Sequence, residues 1–294
     1  MTGPATKYTT CTWMNGRLLR EGEAAVSAMD HGLLYGDGVF EGIRYYGGVP
    51  FRLGAHLDRL GRSAAALALA LPWPRAEIVE AVGTVIGASG APDGYIRLVV
   101  TRGAGAFGLD PRSCGRPSLL LAGGAFPAFG AEAARGLSVI VASTRQTPPD
   151  VLDPRVKSLN YLPRLLARME ATRAGADEAI MLNAAGYVAE GSTDNVFAVR
   201  AGEVVTPPTS DGALEGITRA AILEVAAGAG IPARVASLTP YDLHAADELF
   251  LCGTGIELCP VRAVDGRPLP ACPGPVFERL AAGFRALRAR ECGG

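Results

Sequence analysis

The N-terminal part of the chain alternates short apolar segments with tight turns. An Asn-Gly pair at Asn15 and Gly16 divides one such segment, and Gly47-Gly48 divides another. Dipeptides of this kind supply the positive φ angles that two-residue hairpin turns require. Apolar residues at intervals of three and four then predict a helix that ends before Pro72. The predicted elements are hairpins over 13–18 and 39–53, helices over 57–71 and 75–88, and a strand over 95–101.

The C-terminal part alternates strands with amphipathic helices. Predicted strands lie over 137–142, 178–182, 195–199, 248–251 and 258–264, and predicted helices over 161–173, 217–227 and 276–290. The stretch between the two parts is rich in glycine and proline, which is typical of a linker. We therefore predict a mixed α+β and α/β fold, with a small α+β domain at 1–122, a linker at 123–130 and a larger domain of strands flanked by helices at 131–294.

The composition excludes several classes of function. Hydrophobic residues make up 49% of the chain and charged residues 19%, and a net charge of −1 gives no basis for binding nucleic acid or an acidic membrane. No apolar run approaches the ~20 residues of a membrane span, and the N-terminus shows no signal sequence. The six cysteines and three histidines show no metal-binding spacing, so we expect no metal site, and reduced cysteines in a cytoplasmic protein.

Lysine is scarce, and one of its two copies stands out for that reason. Of the 28 basic residues only Lys7 and Lys157 are lysines, so arginine serves wherever positive charge or a hydrogen-bond donor is sufficient. A lysine amine can lose its proton and attack a carbonyl to form a Schiff base, whereas a guanidinium with a pKa above ~12 cannot. Lys157 is therefore a candidate nucleophile, and a structural ion pair is the alternative interpretation.

One glycine motif has a misleading form. Gly103, Gly105 and Gly108 satisfy the G-x-G-x-x-G pattern of dinucleotide-binding folds and follow a predicted strand. That pattern needs a helix to begin within it, but Pro111 follows closely, and no acidic residue stands about twenty positions further on to bind a ribose. We therefore predict a glycine loop near the entrance for substrate, and no nucleotide site.

Several blocks of residues occur in an order and at a spacing that are specific to one family. The blocks are Tyr35–Arg44, Lys157–Tyr161, Glu190 with Asn195–Phe197, Thr206, Gly216–Arg219 and Gly253–Gly255, and they span nearly the whole chain. They resemble the class IV, or fold type IV, aminotransferases, which depend on pyridoxal 5'-phosphate.

The resemblance implies a role for each residue that matches the family pattern. Lys157 would bind the cofactor covalently and carry the proton during catalysis, Glu190 would face the ring nitrogen, and Tyr161 would bind the ring hydroxyl. The phosphate would be bound at the start of a helix, by a turn and by an arginine, because the N–H groups of a helix N-terminus attract anions. The residues implied for the phosphate are Arg59, Ile217, Thr218 and Thr254.

Within the family, the N-terminal blocks are most similar to the branched-chain amino acid aminotransferases. This similarity implies that Tyr95 and Arg97 organise the side of the pocket that binds the substrate carboxylate. It also implies that Tyr35 and Phe40 lie against the substrate side chain. The implied reaction is a ping-pong exchange of an amino group between an L-amino acid and a 2-oxo acid such as 2-oxoglutarate. The family further implies a homodimer, in which the glycine loop of one subunit closes the site of the other.

The turn at 253–255 limits how far the substrate is specified. Thr254 and Gly255 match family residues that contact substrate, but Ile256 is larger than the small residue usual after this turn. Three alternatives stay open. A D-amino acid or (R)-amine transaminase is disfavoured because residues 101–111 contain no histidine, and an aminodeoxychorismate lyase because the N-terminal match is so full. A non-catalytic cofactor-binding protein would not need Lys157, Tyr161 and Glu190 together.

Overall fold

The computed structural model describes residues 10–20, 22–126 and 135–293, and these fall into two compact units. The first unit contains the described residues up to 126, together with 156–160 and 290–293. The second unit contains 135–155 and 161–289. Each unit is built on its own β-sheet.

The first unit is built on an antiparallel sheet of six strands. The strands are β1 (Thr10–Met14), β2 (Arg17–Leu19), β3 (Gly38–Tyr46), β4 (Val49–Pro50), β5 (Gly94–Thr101) and β6 (Ser118–Ala125), and the helices are α1 (His31–Tyr35), α2 (Leu53–Ala66) and α3 (Arg75–Ser89). The order of the strands is β2-β1-β6-β5-β3-β4. Ile43, Ile96 and Leu98 are fully buried in a core that also contains apolar residues of α2 and α3. Asn15 and Gly16 have positive φ angles of 47° and 93°, which confirms the predicted Asn-Gly hairpin.

Helix α2 differs from its prediction at both ends. It begins at Leu53, so only the first two residues of the predicted strand before it pair as β4. It ends at Ala66, and Ala68 beyond it takes a positive φ of 48°, which a continuing helix does not allow. Leu67 and Leu71 lie beyond the end of the helix and still pack against the core. The apolar spacing therefore continued further than the helix itself.

A short segment from the middle of the chain belongs to the first unit. The N–H of Phe40 donates to the carbonyl of Lys157 at 3.0 Å, and the N–H of Leu159 donates to the carbonyl of Gly38 at 2.9 Å. The segment 156–160 therefore lies alongside β3. At the predicted linker, residues 123–125 are the end of β6, while 127–130 lie outside the described residues. The predicted domain boundaries stay a prediction.

The second unit is built on a curled sheet of nine strands. The strands are β7 (Leu137–Val141), β8 (Glu178–Leu182), β9 (Val188–Gly191), β10 (Asn195–Arg200), β11 (Glu203–Thr206), β12 (Ala233–Val235), β13 (Glu248–Gly253), β14 (Glu257–Val264) and β15 (Arg267–Pro268). The order is β12-β11-β10-β13-β14-β7-β8-β9, and β15 pairs with β14. The N–H of Gly191 donates to the carbonyl of Asp194 just before β10, so the sheet curls back on itself.

The helices of this unit complete the mixed fold that the sequence predicts. They are α4 (Pro149–Leu152), α5 (Leu162–Arg173), α6 (Ile217–Gly228), α7 (Pro240–His244) and α8 (Pro275–Cys292), the last of which ends beyond this unit. The five strands and three helices predicted here are confirmed to within two residues at each end. The strands of this unit that the prediction missed have two to four residues, too short for a periodic pattern to be visible. In the first unit the prediction also missed β6, although that strand has eight residues.

Three further expectations can be compared with the described residues. From Gly103 to Gly108 the chain contains no helix, and a 3₁₀ turn at Pro111–Ser113 follows, so the helix that a dinucleotide-binding motif needs does not begin there. None of the described helices is both long and apolar enough to cross a membrane. Across 10–20, 22–126 and 135–293, no group of three or more His, Cys, Asp or Glu side chains could hold a metal ion.

Candidate active site

Lys157 lies beside an aromatic ring of the first unit. Its backbone N–H donates to the hydroxyl of Ser63 on α2 at 3.0 Å, which fixes the segment at the lysine itself. Its amine Nζ lies 4.7 Å from the centre of the Phe40 ring, and Phe40 is 6% exposed. The backbone hydrogen bond from Phe40 to Lys157 adds a second restraint. The amine is therefore held over the face of a buried aromatic ring.

The same ring is contacted by a second cation, Arg97 on β5. Its guanidinium carbon lies 4.6 Å from the centre of the Phe40 ring and 5.7 Å from that of Tyr95. Opposite Arg97 in the β3–β5 ladder stands Gly42, and a Cβ added there would lie 1.8 Å from the Tyr95 hydroxyl. Only glycine therefore fits beneath this tyrosine. The structure thus brings together Lys157, Phe40, Tyr95 and Arg97, four of the residues singled out from the sequence.

Tyr35 is held in a different environment. It is 36% exposed, its hydroxyl accepts a hydrogen bond from the N–H of Gly108 at 3.1 Å, and its ring packs edge-on against His31 at 4.9 Å. His31 in turn lies 2.9 Å from the carbonyl of Ala106 through Nε2. Tyr35 and His31 therefore anchor the glycine loop at 103–108. A contact of Tyr35 with the substrate side chain stays a prediction.

Arg59, the residue implied for the phosphate, is part of a buried charge network. Its Nε and Nη2 donate to the two carboxylate oxygens of Glu41 at 2.8 and 2.7 Å. His56, one turn earlier on α2, places Nδ1 2.8 Å from the same carboxylate, and because a carboxylate only accepts, Nδ1 carries the proton. Burial lowers the pKa of His56. Burial alone would raise the pKa of Glu41, but the hydrogen bonds from Arg59 and His56 outweigh it and bring that pKa to about 2. Phosphate binding by Arg59 stays a prediction.

We expect the Glu41 network to contribute strongly to the stability of the first unit. Glu41→Gln leaves the Arg59 guanidinium buried without its counter-charge, and such a loss costs about 3–5 kcal/mol. Urea unfolding at pH 7, followed by the fluorescence of Trp13 and Trp73, reports on this unit because it contains both tryptophans. Because the pKa of Glu41 is about 2 in the folded protein against an ordinary value of 4.5, the stabilisation is present above pH 4.5 and is lost as pH falls towards 2.

The control for this prediction is Glu291→Gln in the more exposed pair that Glu291 forms with Arg52. A pair of this kind contributes about 0–1 kcal/mol, so we expect little change. If Glu41→Gln costs no more than Glu291→Gln, the buried network does not stabilise the unit as argued.

In the second unit, Glu190 on β9 is the centre of a saturated hydrogen-bond network. It is 2% exposed. One carboxylate oxygen accepts from Nε2 of Gln146 at 3.0 Å and from Nη2 of Arg164 at 2.5 Å. The other accepts from the N–H of Leu214 at 3.0 Å and from Nδ2 of Asn195 at 3.3 Å. The motif identified Glu190 and Asn195, but no signal in the sequence marked Gln146 or Arg164.

This network leads directly to the beginning of α6. Asn195 also donates to the carbonyl of Leu214 at 3.1 Å, and that carbonyl accepts a further hydrogen bond from the N–H of Gly216. A Cβ added at Gly216 would lie 1.9 Å from the Asn195 side-chain oxygen, so the close approach requires glycine. The helix begins at Ile217 without a side-chain cap, and Thr218 in its first turn is 5% exposed. A buried carboxylate and an uncapped helix N-terminus are thus joined through one asparagine.

Tyr161 immediately precedes α5, and its ring faces a cation. The guanidinium carbon of Arg164 lies 4.9 Å from the centre of the Tyr161 ring. Burial lowers the pKa of Arg164, but the charges of Glu190 and Tyr161 and the hydrogen bond with Glu190 leave it above its usual value. Thr254 and Gly255 form the turn between β13 and β14 and are half-buried. Ile256 packs partly against the apolar core of this unit.

The second unit has the chemical groups that a pyridoxal phosphate needs. The uncapped N–H groups of α6 and the Thr218 hydroxyl are donors for a phosphate, and Glu190 is an acceptor for a protonated pyridine nitrogen. The Gly216–Asn195 contact keeps these two parts of the unit close together. The residues therefore fit the cofactor on chemical grounds.

Comparisons with known proteins agree with this chemistry. A model of the family "Amino-transferase class IV" matches residues 38–264. A Methanocaldococcus jannaschii protein named as a candidate branched-chain-amino-acid aminotransferase is 44% identical over 279 residues, which cover 95% of this chain and 96% of that protein. The branched-chain-amino-acid aminotransferase of Escherichia coli K12 is 37% identical over 96% of this chain and 94% of its own length.

A solved structure extends the likeness to three dimensions. The branched-chain aminotransferase of the thermophilic archaeon Thermoproteus uzoniensis, crystallised with norvaline, has a TM-score of 0.89 and 38% identity, and the match covers 96% of this chain and 95% of that one. The chain therefore belongs to the class IV aminotransferase family, as its sequence blocks predict. The fold of the described residues is that of the fold type IV enzymes.

Proposed function

We propose that this protein is a pyridoxal-phosphate-dependent transaminase that moves the amino group of branched-chain L-amino acids to 2-oxoglutarate. The observation that carries the proposal is the position of Lys157, whose amine lies 4.7 Å from the centre of the Phe40 ring, which the Arg97 guanidinium also contacts at 4.6 Å. The amine is suited to binding the cofactor carbonyl, the guanidinium to binding a substrate carboxylate, and the aromatic ring to contacting an apolar side chain. The relatives with branched-chain aminotransferase names support this substrate class.

The family resemblance gives cofactor-binding roles to residues of each unit, and these are described unit by unit. In the first unit Lys157 would bind it covalently, and Arg59 would contribute to the phosphate site. In the second unit Ile217, Thr218 and Thr254 would bind the phosphate, Tyr161 the ring hydroxyl and Glu190 the ring nitrogen. When bound, pyridoxal phosphate supplies a reactive carbonyl and an electron-withdrawing ring.

Two forms of a related enzyme support the cofactor and the second substrate. A branched-chain amino acid aminotransferase that is 36% identical to this chain, with a TM-score of 0.91, was crystallised with pyridoxamine 5'-phosphate. Its complex with N-(5'-phosphopyridoxyl)-L-glutamate supports glutamate as the partner of 2-oxoglutarate in the reaction proposed here.

The protein side chains would transfer the proton, bind the substrate carboxylate and contact the substrate side chain. Lys157 would carry a proton at Nζ, because an amine can alternate between its neutral and charged forms where a guanidinium cannot. Arg97 is exposed and lies over two aromatic rings, and it pairs with no carboxylate among the described residues of its own unit. Its guanidinium would therefore bind the carboxylate that all amino acid substrates share. As the family resemblance implies, Tyr95 would help Arg97 to organise the carboxylate side, and Tyr35 and Phe40 would lie against the apolar side chain. The resemblance also gives a substrate contact to the turn at Thr254-Gly255.

We expect L-leucine, L-isoleucine and L-valine each to convert the bound cofactor to its aminated form. Apolar pockets separate side chains that differ by one methylene by only ~1–3 kcal/mol, so rates should be graded across the three. The measurement mixes the purified holoenzyme with single L- and D-amino acids or (R)-amines and follows the absorbance of the cofactor. Conversion by D-alanine or an (R)-amine, with none by L-leucine, would identify a D-amino acid or (R)-amine transaminase instead.

The role of Arg97 is tested in the same assay. Arg97→Leu removes a charge-assisted hydrogen bond worth about 1.5–3 kcal/mol, so KM should rise about 10- to 100-fold for L-leucine and L-glutamate alike. Arg116→Leu is the matched control, because Arg116 is also an exposed arginine of the first unit and lies 5.7 Å from the centre of the Trp73 ring. A rise for L-glutamate alone would mean that Arg97 binds the acidic side chain and not the shared carboxylate.

A homodimer in the cytoplasm completes the proposal. It rests on the family resemblance, in which the glycine loop of one subunit closes the site of the other. The loop at 103–108 is anchored here by Tyr35 and His31, which gives it a defined shape. Size-exclusion chromatography with light scattering tests the dimer.

A further inference from the structure

Arg164 contacts two residues that the proposed function assigns to the cofactor ring, although no motif marks it. Its Nη2 donates to Glu190 at 2.5 Å, and its guanidinium carbon lies 4.9 Å from the centre of the Tyr161 ring. Its Nη1 donates to the carbonyl of Ser192 at 3.3 Å, next to β9. The side chain is 10% exposed, so the ion pair with Glu190 is largely shielded from water. Arg164 therefore lies between a carboxylate and a phenol.

The hydrogen bonds of Glu190 show why this arginine matters. A carboxylate has about four lone-pair positions in its plane, and four donors occupy them here. The carboxylate is thereby fixed in orientation. Of the four donors, only Arg164 carries a charge, and Asn195 makes the longest hydrogen bond at 3.3 Å. A further donor such as a pyridine N–H would displace Asn195 most easily and would then share the carboxylate with a guanidinium.

We propose that Arg164 is a positioning residue that fixes Glu190 and Tyr161 and, through its charge, sets the pH at which the bound cofactor changes protonation state. The inference rests on the proposed function, because it takes Glu190 and Tyr161 as residues of the cofactor ring. A nearby cation favours the deprotonated form of a neighbouring group, so Arg164 lowers that pH. A planar guanidinium suits the task, since it can bind a carboxylate at its edge while its face lies on an aromatic ring.

Two other charged groups lie close enough to Glu190 to affect a titration. Burial raises the pKa of Asp194, which precedes β10, to about 7. Burial lowers the pKa of Arg219 on α6, which also interacts with the charge of Glu190. The charge of Asp194 interacts with that of Arg164 as well, so a substitution at Arg164 changes the titration of Asp194. The comparison is therefore repeated in an Asp194→Asn background, where this carboxyl does not titrate and a difference is assignable to Arg164.

The test is a pH titration of the holoenzyme of Arg164→Gln. The visible absorption band of the lysine-linked cofactor is followed across pH, and its midpoint is compared with that of the native holoenzyme. We expect the midpoint to rise by about one pH unit, because a cation close to the ring is lost while a hydrogen-bond donor remains. Arg164→Lys, which retains the charge, should restore the midpoint to within about 0.3 units of the native value.

The matched control is Arg168→Gln. Arg168 lies one turn further along α5 and forms its own ion pair with the buried Glu178 at 2.5 Å, so it loses a similar contact. We expect its midpoint to equal that of the native protein. If Arg164→Gln folds, binds the cofactor and titrates as the native protein does, Arg164 is a structural residue and the inference is wrong.

A second variant covers the case in which Arg164→Gln does not fold. Arg164→Met fills the same space with an apolar chain, which buried ion pairs often tolerate, and it must show the same rise in midpoint. Failure of the proposed function would be seen separately. In that case the native protein itself, incubated with pyridoxal phosphate, would show no lysine-linked band to titrate.

Discussion

A protein in which alanine replaces Lys157 should transfer amino groups at least ~10⁴-fold more slowly than the native enzyme, because the proposed function makes one residue both nucleophile and proton carrier. The two functions cannot pass to a neighbour. Only one other lysine exists in the chain, Lys7, and it lies outside the described residues. Steady-state transamination of L-leucine with 2-oxoglutarate measures the loss.

Cofactor binding separates this effect from simple misfolding. The groups assigned to the phosphate, Arg59, Thr218 and Thr254, are untouched in Lys157→Ala, so the variant should still bind pyridoxal phosphate non-covalently. Borohydride reduction of the native holoenzyme should attach the cofactor at residue 157, found by mass spectrometry of peptides, and should attach none in the variant. Attachment at Lys7, or a turnover that survives the substitution, would contradict the assignment. Lys7→Ala is the control and should retain full activity.

The fold was predictable where the apolar pattern was long and local. Helices α5 and α6 and the five longer strands of the second unit have enough periodic residues to be recognised, and their ends agree within two residues. Helix α2 was placed too far along the chain, because Leu67 and Leu71 pack on the core after the helix has ended. Apolar spacing shows which residues contact the core, but it does not show where the helix ends. The left-handed backbone at Ala68, which ends the helix, leaves no trace in the spacing.

Local sequence patterns could not predict that residues 156–160 belong to the first unit. Lys157 joins strand β3 through hydrogen bonds to residues more than a hundred positions away in the chain. Pairing over such a separation depends on which strand edge remains open, and a single sequence does not encode this as a spacing. Lys157 was singled out as a candidate nucleophile by its chemistry, whereas its place in the fold was not predicted.

In the candidate site, too, some residues could be predicted from the sequence and others only from the structure. Residues with a distinctive type or motif, such as Lys157, Glu190 and Thr218, could be identified from the sequence. Buried partners are ordinary residue types without a motif of their own: Glu41 pairs with Arg59, and Gln146 and Arg164 pair with Glu190. Each becomes visible only once the fold brings it to its partner, as with Gln146 and Glu190, which are 44 residues apart. Glu41 lies within the Tyr35–Arg44 block, but its pairing with Arg59 depends on how the strand packs against α2.

The second large effect is expected on the rate of Cα proton loss when Glu190, the residue proposed to face the ring nitrogen of the cofactor, is replaced. Glu190→Gln should retain bound cofactor but slow the loss of the substrate Cα proton, because a neutral amide no longer favours a protonated pyridine. Losing one charge-assisted hydrogen bond raises the barrier by ~2–4 kcal/mol, or roughly 30- to 1000-fold in rate. The measurement is the single-turnover rate of the holoenzyme with L-leucine, compared with the rate for Cα-deuterated L-leucine. The isotope effect should grow in the variant as proton transfer becomes limiting.

The matched control for this prediction is Glu178→Gln. Glu178 is also a buried acid of the second unit, 4% exposed, and pairs with an arginine of the same helix α5. Both substitutions replace the carboxylate of a buried ion pair with a neutral amide and leave an arginine without its counter-charge. Both should therefore lower the unfolding temperature to a similar extent. Only Glu190→Gln should slow the single turnover, since Glu178 has no role at the cofactor. Equal slowing in both variants would mean that loss of a buried ion pair, and not loss of the partner of the ring nitrogen, controls the rate.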